Sequence, residues 1–223
     1  MDTTLDRTDG VCLVVTGGDP IAAGALEGLP PSSCVIGVDS GVGHAVALGL
    51  HVDLAVGDFD SLDPEVLADA ERSGTTVERH PAAKDATDLE LGLDAAVRHG
   101  ARRVVVLGGH GGRLDHLLAH ALLLASPRFT GVVIEARMGD ASVSIARPGA
   151  PATVAAPVGS TLSLLPVGGT ASAVTTTGLA YPLDAEDLGP GTTRGVSNVL
   201  VEPCATVRLT GGTLLVVLPG EPA

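Results

Sequence analysis

Asp58 and Asp60 flank Phe59 directly after the short apolar run Leu54 to Val56. In an extended turn, residues two apart point the same way, so both carboxylates face one spot. Two like charges about 4 Å apart repel by roughly 4 kcal/mol at an effective dielectric near 20, and a divalent cation reverses that sign. Hard oxygen donors with positions left open for phosphate suit Mg2+. Aspartate is equally a common turn and cap residue, so the pair by itself leaves a metal site and a plain turn both open.

Lys84-Asp85-Ala86-Thr87-Asp88-Leu89-Glu90 forms a second cluster. Thr87 followed three residues later by Glu90 is a capping box, and Leu89, Leu93, Ala96 and Val97 then fall on one helical face. Asp88 is thereby placed in the first turn, where the helix dipole favours its ionised form and makes it a ready metal ligand. Lys84, just ahead of the helix, can meet a phosphate as a point charge. Capping accounts for Thr87 and Glu90. It leaves over Lys84, Asp85 and Asp88, as either a solvated helix start or part of a site.

The third cluster is Gly108-Gly109-His110-Gly111-Gly112-Arg113-Leu114-Asp115-His116. Its glycines let a backbone approach phosphate closely, and Arg113 brings a forked donor. No Gly-Lys-[Ser/Thr] follows, so this is not a Walker loop, and the spacing is not a dinucleotide fingerprint. Asp115 and His116 are candidates for orienting Arg113 or for acid–base work; His116 can equally be a packing histidine.

These clusters need elements to hold them. The first two-thirds of the chain alternates short β-branched runs with helical patterns, which predicts an α/β domain with a mostly parallel, Rossmann-like sheet and helices on both faces. Strands are expected at Val11 to Thr16, Cys34 to Val38, Leu54 to Val56 and Val104 to Leu107. The first runs into Gly17-Gly18-Asp19-Pro20 and a helix, the second into Asp39-Ser40-Gly41, the third into Gly57-Asp58-Phe59-Asp60-Ser61, and the last into Gly108-Gly109. Asp63-Pro64 opens a helix as cap and first residue. In open α/β sheets ligands sit beyond the carboxyl ends of the strands, so these turns gather along one rim. From Pro148 helical periodicity disappears, and short alternating runs at Ser160 to Leu165, Ala171 to Thr175, Thr206 to Leu209 and Leu214 to Leu218 predict a small antiparallel β-sandwich. The expected domains are residues 1–147 and 148–223.

Composition narrows the partners. With 13 Lys and Arg against 26 Asp and Glu, the net charge of −13 repels nucleic acid and anionic membranes. A polyanion such as ATP then needs a local site with metal ions and a few placed cations. No apolar run approaches the roughly 20 residues that span a bilayer. Met1 to Gly10 is polar and acidic without an export signal, and three scattered cysteines suit a reducing, cytoplasmic setting. Cys12, Cys34 and Cys204 match no metal spacing and read as buried core thiols. The aromatic fraction is 1%, so ring contacts to a ligand have three candidates: Phe59, Phe129 and Tyr181.

Taken together, Gly57-Asp58-Phe59-Asp60-Ser61, Lys84 to Glu90 and Gly111-Gly112-Arg113-Leu114-Asp115-His116 resemble the thiamine pyrophosphokinase (thiamine diphosphokinase) family. The resemblance continues in order through Ser163-Leu164-Leu165-Pro166, the Thr175 to Leu183 segment and Gly195-Val196-Ser197-Asn198. It implies an ATP- and Mg2+-dependent diphosphotransferase that converts ATP and thiamine to AMP and thiamine diphosphate. It also implies an α/β catalytic domain, a β-sandwich that helps bind thiamine, and a homodimer with active sites between subunits. Carried onto these residues, Asp58, Asp60 and Asp88 hold the metal, with Arg113 and Asp115 as further active-site positions. ATP is expected against Gly17, Gly18, Asp39, Ser40, Gly41, Lys84, Asp85, Gly111, Gly112, Arg113 and His116, and thiamine against Tyr181, Ser197 and Asn198. Some family members carry Trp in place of Tyr181. Two alternatives are a Mg2+-dependent nucleotide-sugar transferase and a non-catalytic thiamine- or nucleotide-binding regulator.

Overall fold

The computed structural model describes residues 10–81 and 85–220; Lys84 lies outside them. Contacts between Cα atoms divide the chain into two compact units, Met1–His120 and Ala121–Ala223. The first holds strands β1 Val11–Val15, β2 Cys34–Val38, β3 Leu54–Gly57, β4 Thr76–Arg79 and β5 Arg103–Leu107. All pair in parallel, in the order β5-β1-β2-β3-β4. Helices α1 Gly41–Ala47, α2 Pro64–Arg72 and α3 Asp88–Arg98 connect them, and α4 Leu114–Leu124 follows β5. The apolar strand VCLVV and the VVVL run that follows Arg103 in β5 are what a sheet buried on both sides requires.

Ala45 of α1 shares a core with Leu13, Val15 and Val35. Gly92 of α3 instead lies against Val14 and Val38, so closely that a Cβ would come within 2.4 Å of Val38 Cγ2. Burying Leu89 and Leu93 fully contributes roughly 1.5–3 kcal/mol each. Val97, expected on the same face, is 42% exposed, and Ala95 is buried instead. Asp63 caps α2 by accepting from the Glu65 N–H at 2.9 Å, ahead of Pro64. Thr87 caps α3 by accepting from the Glu90 N–H at 3.3 Å.

Two departures from the sequence reading are local. The helix expected after β1 is a single 3-10 turn, Ala23–Leu26, because Gly24, Gly28, Pro30 and Pro31 deny that segment a longer helix. The cysteines are not uniformly buried: Cys12 is buried, Cys34 half-buried and Cys204 exposed.

The second unit is antiparallel. Its strands are β6 Val133–Met138, β7 Ala141–Ala146, β8 Ala152–Ala155, β9 Thr161–Pro166, β10 Ala171–Thr177, β11 Glu186–Leu188, β12 Asn198–Val199, β13 Cys204–Arg208 and β14 Leu214–Leu218. One sheet runs β12-β9-β14-β7-β6 and the other β11-β10-β13-β8. Alternating residues from both sheets, among them Leu162, Leu164, Leu214, Val174 and Val207, fill one core. Buried Arg147 donates to the carbonyls of Ser126 (2.9 Å) and Phe129 (3.3 Å). The contact division falls at 120/121; the change of composition falls at 147/148.

Candidate active site: a cleft of aspartates and glycine turns

The chain proceeds from β1 outward through β2, β3 and β4, then returns to place β5 on the other side of β1. That reversal is where an open α/β sheet leaves a crevice at its carboxyl edge. A cleft of about 440 Å3 lies there, lined by residues that follow β1 (Gly17, Gly18), β2 (Asp39, Ser40), β3 (Asp58, Ser61) and β5 (Gly109 to Arg113), and by Asp88 at the start of α3.

Adjacent parallel strands end at the same height, which brings the aspartates together. Val38 pairs with Val56, and the Asp39 N–H donates to the Val56 carbonyl at 2.9 Å. The chain then passes Gly57 so tightly that a Cβ there would lie 3.2 Å from the Asp39 backbone. Asp39 (φ 50°) and Phe59 (φ 62°) both adopt the left-handed backbone that non-glycine residues rarely take. Phe59 turns inward, packing with Val42, Leu62 and Leu67, under the Arg79 guanidinium at 5.4 Å. Its two neighbours are thereby left facing out.

Carboxylate oxygens of Asp39, Asp58 and Asp60 all lie within 4.8 Å of one another. Asp58 Oδ1 accepts from the Asp60 N–H at 3.2 Å, and the Ser61 hydroxyl donates to Asp39 Oδ2. Asp39 Oδ1 is buried without a hydrogen-bond partner. The Asp60 carboxyl is held above the usual carboxylate range, first by the charge of Asp58, then by desolvation and by the charges of Asp39 and Asp88. Three hard oxygen donors, mutual repulsion and an orphaned buried oxygen fit a divalent cation such as Mg2+. Asp88 stands outside the 4.8 Å group but on the same cleft.

The glycine turns brace each other. The Asp19 N–H donates to the His110 carbonyl, and the Gly109 N–H to the Gly17 carbonyl, both at 2.9 Å. A Cβ at Gly18 (φ 125°) would lie 2.4 Å from the His110 oxygen. Gly112, in contrast, faces open space in the cleft.

Arg113 and Asp115 form a two-pronged pair at 3.1 and 2.5 Å. The hydrogen bonds from the Arg113 guanidinium outweigh desolvation and hold the Asp115 carboxyl down at about 2. Arg113 and His116 line the cleft; Asp115, Asp85 and Gly41 do not. Gly41 instead packs on the Val15 carbonyl.

One cleft residue escaped the sequence reading. His120 is buried, its Nδ1 has no hydrogen-bond partner, and its ring stands 5.9 Å from that of His116. Burial pushes its imidazole down, against a hydrogen bond with the Gly109 backbone, so it is neutral at pH 7. Its place four residues after His116 on a helix was the available signal.

In the second unit a cleft of about 450 Å3 is lined by Tyr181, Thr192, Arg194, Val196 and Asn198 among others. Tyr181 is 63% exposed. Asn198 is buried, and its amide is spent on backbone: it accepts from the N–H groups of Tyr181 (3.1 Å) and Val199 (2.9 Å) and donates to the Tyr181 carbonyl at 2.7 Å. Ser197 (φ 56°) donates its N–H to Ser163 Oγ at 3.0 Å and does not line the cleft. Arg194, which sequence reasoning passed over, forks onto Glu186 at 3.0 and 3.1 Å.

Residues 28–136 match the family model for the thiamin pyrophosphokinase catalytic domain, and residues 152–214 that for the thiamin pyrophosphokinase vitamin B1 binding domain. The chain is 28% identical over 182 residues to the thiamine pyrophosphokinase of Bacillus subtilis (strain 168), covering 82% of this chain and 85% of that one. It is similar to the crystal structure of thiamine pyrophosphokinase from Bacillus subtilis at a TM-score of 0.82 and 27% identity, covering 95% of this chain and 100% of that one. A thiamin pyrophosphokinase family protein from Enterococcus faecalis superposes at a TM-score of 0.78 with 30% identity, covering 95% and 99%.

Proposed function

Because the chain belongs to the thiamin pyrophosphokinase family, we propose that it is a thiamine diphosphokinase, transferring diphosphate from ATP to the thiamine hydroxyl and releasing AMP. The observation that carries this reading is the meeting of Asp39, Asp58 and Asp60 within 4.8 Å on the rim of a cleft walled by glycine turns.

On this reading Asp58, Asp60 and Asp88, with Asp39 beside them, would hold Mg2+, which when bound would neutralise charge on the diphosphate being transferred. The Gly17-Gly18 and Gly111-Gly112 turns let the polyphosphate lie against backbone. Arg113, steered by Asp115, presents its remaining donors to phosphate oxygens, and Lys84 adds a point charge. An aspartate near the hydroxyl, Asp88 or Asp115, accepts its proton; a loose transition state asks little of that base. Positioning and charge neutralisation supply most of the rate. Tyr181 offers its ring face to the thiazolium cation, with its backbone held by Asn198.

The same reading takes residues 1–147 as a Rossmann-like catalytic domain and 148–223 as a β-sandwich for thiamine, in a cytoplasmic homodimer. Incubation with ATP, Mg2+ and thiamine, followed by identification of the nucleotide released, tests it. AMP in step with thiamine diphosphate is the expected result. Release of a nucleoside diphosphate, or binding without turnover, refutes it in favour of a nucleotide-sugar transferase or a non-catalytic regulator.

A further inference from the structure

Cys12 and Cys34 are separated by 21 residues in sequence, yet they are direct register partners on the parallel strands β1 and β2. Paired residues on neighbouring strands lie about 4.8 Å apart, inside the roughly 4.4–6.8 Å separation of Cα atoms that a disulfide accepts. Alternation along both strands puts the two side chains on one face of the sheet, the face of Val14 and Val38. Each thiol shifts the other's proton affinity, as their pairing requires, and Cys12 Sγ donates to the Leu13 carbonyl at 3.7 Å.

The two sulfurs differ in a way that suits sequential chemistry. Cys12 is buried, whereas Cys34, first residue of its strand, is half-buried. The hydrogen bond from Cys12 holds the Cys34 thiol below its ordinary value, against desolvation and the nearby charge of Asp53. Asp53 itself is fixed by accepting the Val35 N–H at 2.7 Å. Hydrogen bonding and burial push Cys12 strongly up. The result is a half-buried sulfur that ionises more readily than the buried partner behind it, the arrangement of an attacking and a resolving cysteine.

We propose that Cys12 and Cys34 form a cross-strand dithiol that low-molecular-weight disulfides oxidise to an intramolecular disulfide. The Cys34 thiolate attacks one sulfur of the small disulfide, expelling its other half as a thiolate and leaving a mixed disulfide on Cys34. Cys12 then attacks the Cys34 sulfur and expels the second half, its proton passing to the departing thiolate. Two protein thiols become one disulfide, and one small disulfide is reduced to two small thiols. Both cysteines stand at or near the amino-terminal ends of their strands, whereas the turns at Gly17 and Asp39 follow the carboxyl ends. The crosslink therefore forms away from the cleft.

Exposed Cys204 is removed with Cys204→Ser, and the folded protein is treated with oxidised glutathione, unfolded, and alkylated. The expected product has lost two hydrogens, takes up no alkylating agent, and yields a linked pair of peptides containing Cys12 and Cys34. Two alkylated cysteines, or one glutathione on each, would overturn the proposal. Adding Cys34→Ser tests the order of attack: Cys12 is expected to stay free of glutathione and fully alkylatable. A glutathione adduct on Cys12 in that variant would show that Cys34 is not the entry point. A melting curve for each variant confirms that the oxidised species was folded.

Discussion

Replacing Asp39 by asparagine probes the carboxylate group at the member that strand adjacency alone brings in. Asparagine keeps the shape, tolerates the left-handed backbone at this position, and can still accept the Ser61 hydroxyl. What it removes is one negative charge. With oxygens of Asp39 and Asp58 within 4.8 Å, two unit charges repel by roughly 3.5 kcal/mol at an effective dielectric of about 20. Both side chains are partly exposed, and solvent screening brings this to about 1 kcal/mol. In EDTA the variant should therefore melt above the parent by about 2–4 °C for a chain of this size. With Mg2+, ATP and thiamine the same lost charge works the other way. A roughly 100-fold drop in kcat/KM, about 2.7 kcal/mol, is expected, with partial recovery as Mg2+ is raised. Thermal melts in EDTA and AMP release across a Mg2+ titration read the two halves. A variant that melts below the parent in EDTA and keeps its Mg2+ dependence would refute the reasoning.

Asn198→Ala removes three hydrogen bonds to backbone from a buried amide and should cost about 2–4 kcal/mol in urea unfolding; a loss under 1 kcal/mol would show that the clamp on Tyr181 is dispensable. Gly18→Ala places a Cβ 2.4 Å from the His110 oxygen at φ 125° and should destabilise by about 2 kcal/mol or more. Gly112→Ala, strained only by its φ of 60° and facing open space, should cost about 1 kcal/mol, and chemical denaturation should rank the two in that order. Glu78 is burdened by desolvation, but hydrogen bonds from His80 and Arg98 outweigh it and lower its pKa from 4.5. A depressed carboxylate adds stability above its unfolded value and loses it as pH falls through the folded one. The melting advantage of the parent over Glu78→Gln should thus shrink as pH falls below 4.5.

Much of the architecture was written in local pattern. Short apolar runs named β1, β2, β3 and the part of β5 after Arg103, because a strand buried on both faces has little place for a polar residue. The Asp63-Pro64 and Thr87 caps were legible for a similar reason: a helix start is satisfied by residues within one turn of it. The edge strand β4 was not, since its TVER run has no fully buried position to betray it. Nor were β6 and β7, whose alternation VIEARM and ASVSIA lies within the stretch read as α/β.

The site divides along the same line. Asp58 and Asp60 were found by their spacing, and Arg113 by the glycines before it, because each signal sits inside a few consecutive residues. The chain by itself also identified which strands end in acidic or glycine turns, and so which edge of a parallel sheet carries ligand chemistry. Strand order lay beyond it. Only the fold put β2 beside β3, and hence Asp39 against Asp58. The same pairing rule set Cys12 against Cys34, and packing placed Asn198, which lines the second cleft, on the Tyr181 backbone. These are relations between residues 17 to 22 positions apart or more. Local propensity is blind at that range, and hydrogen bonding between strands makes the choice.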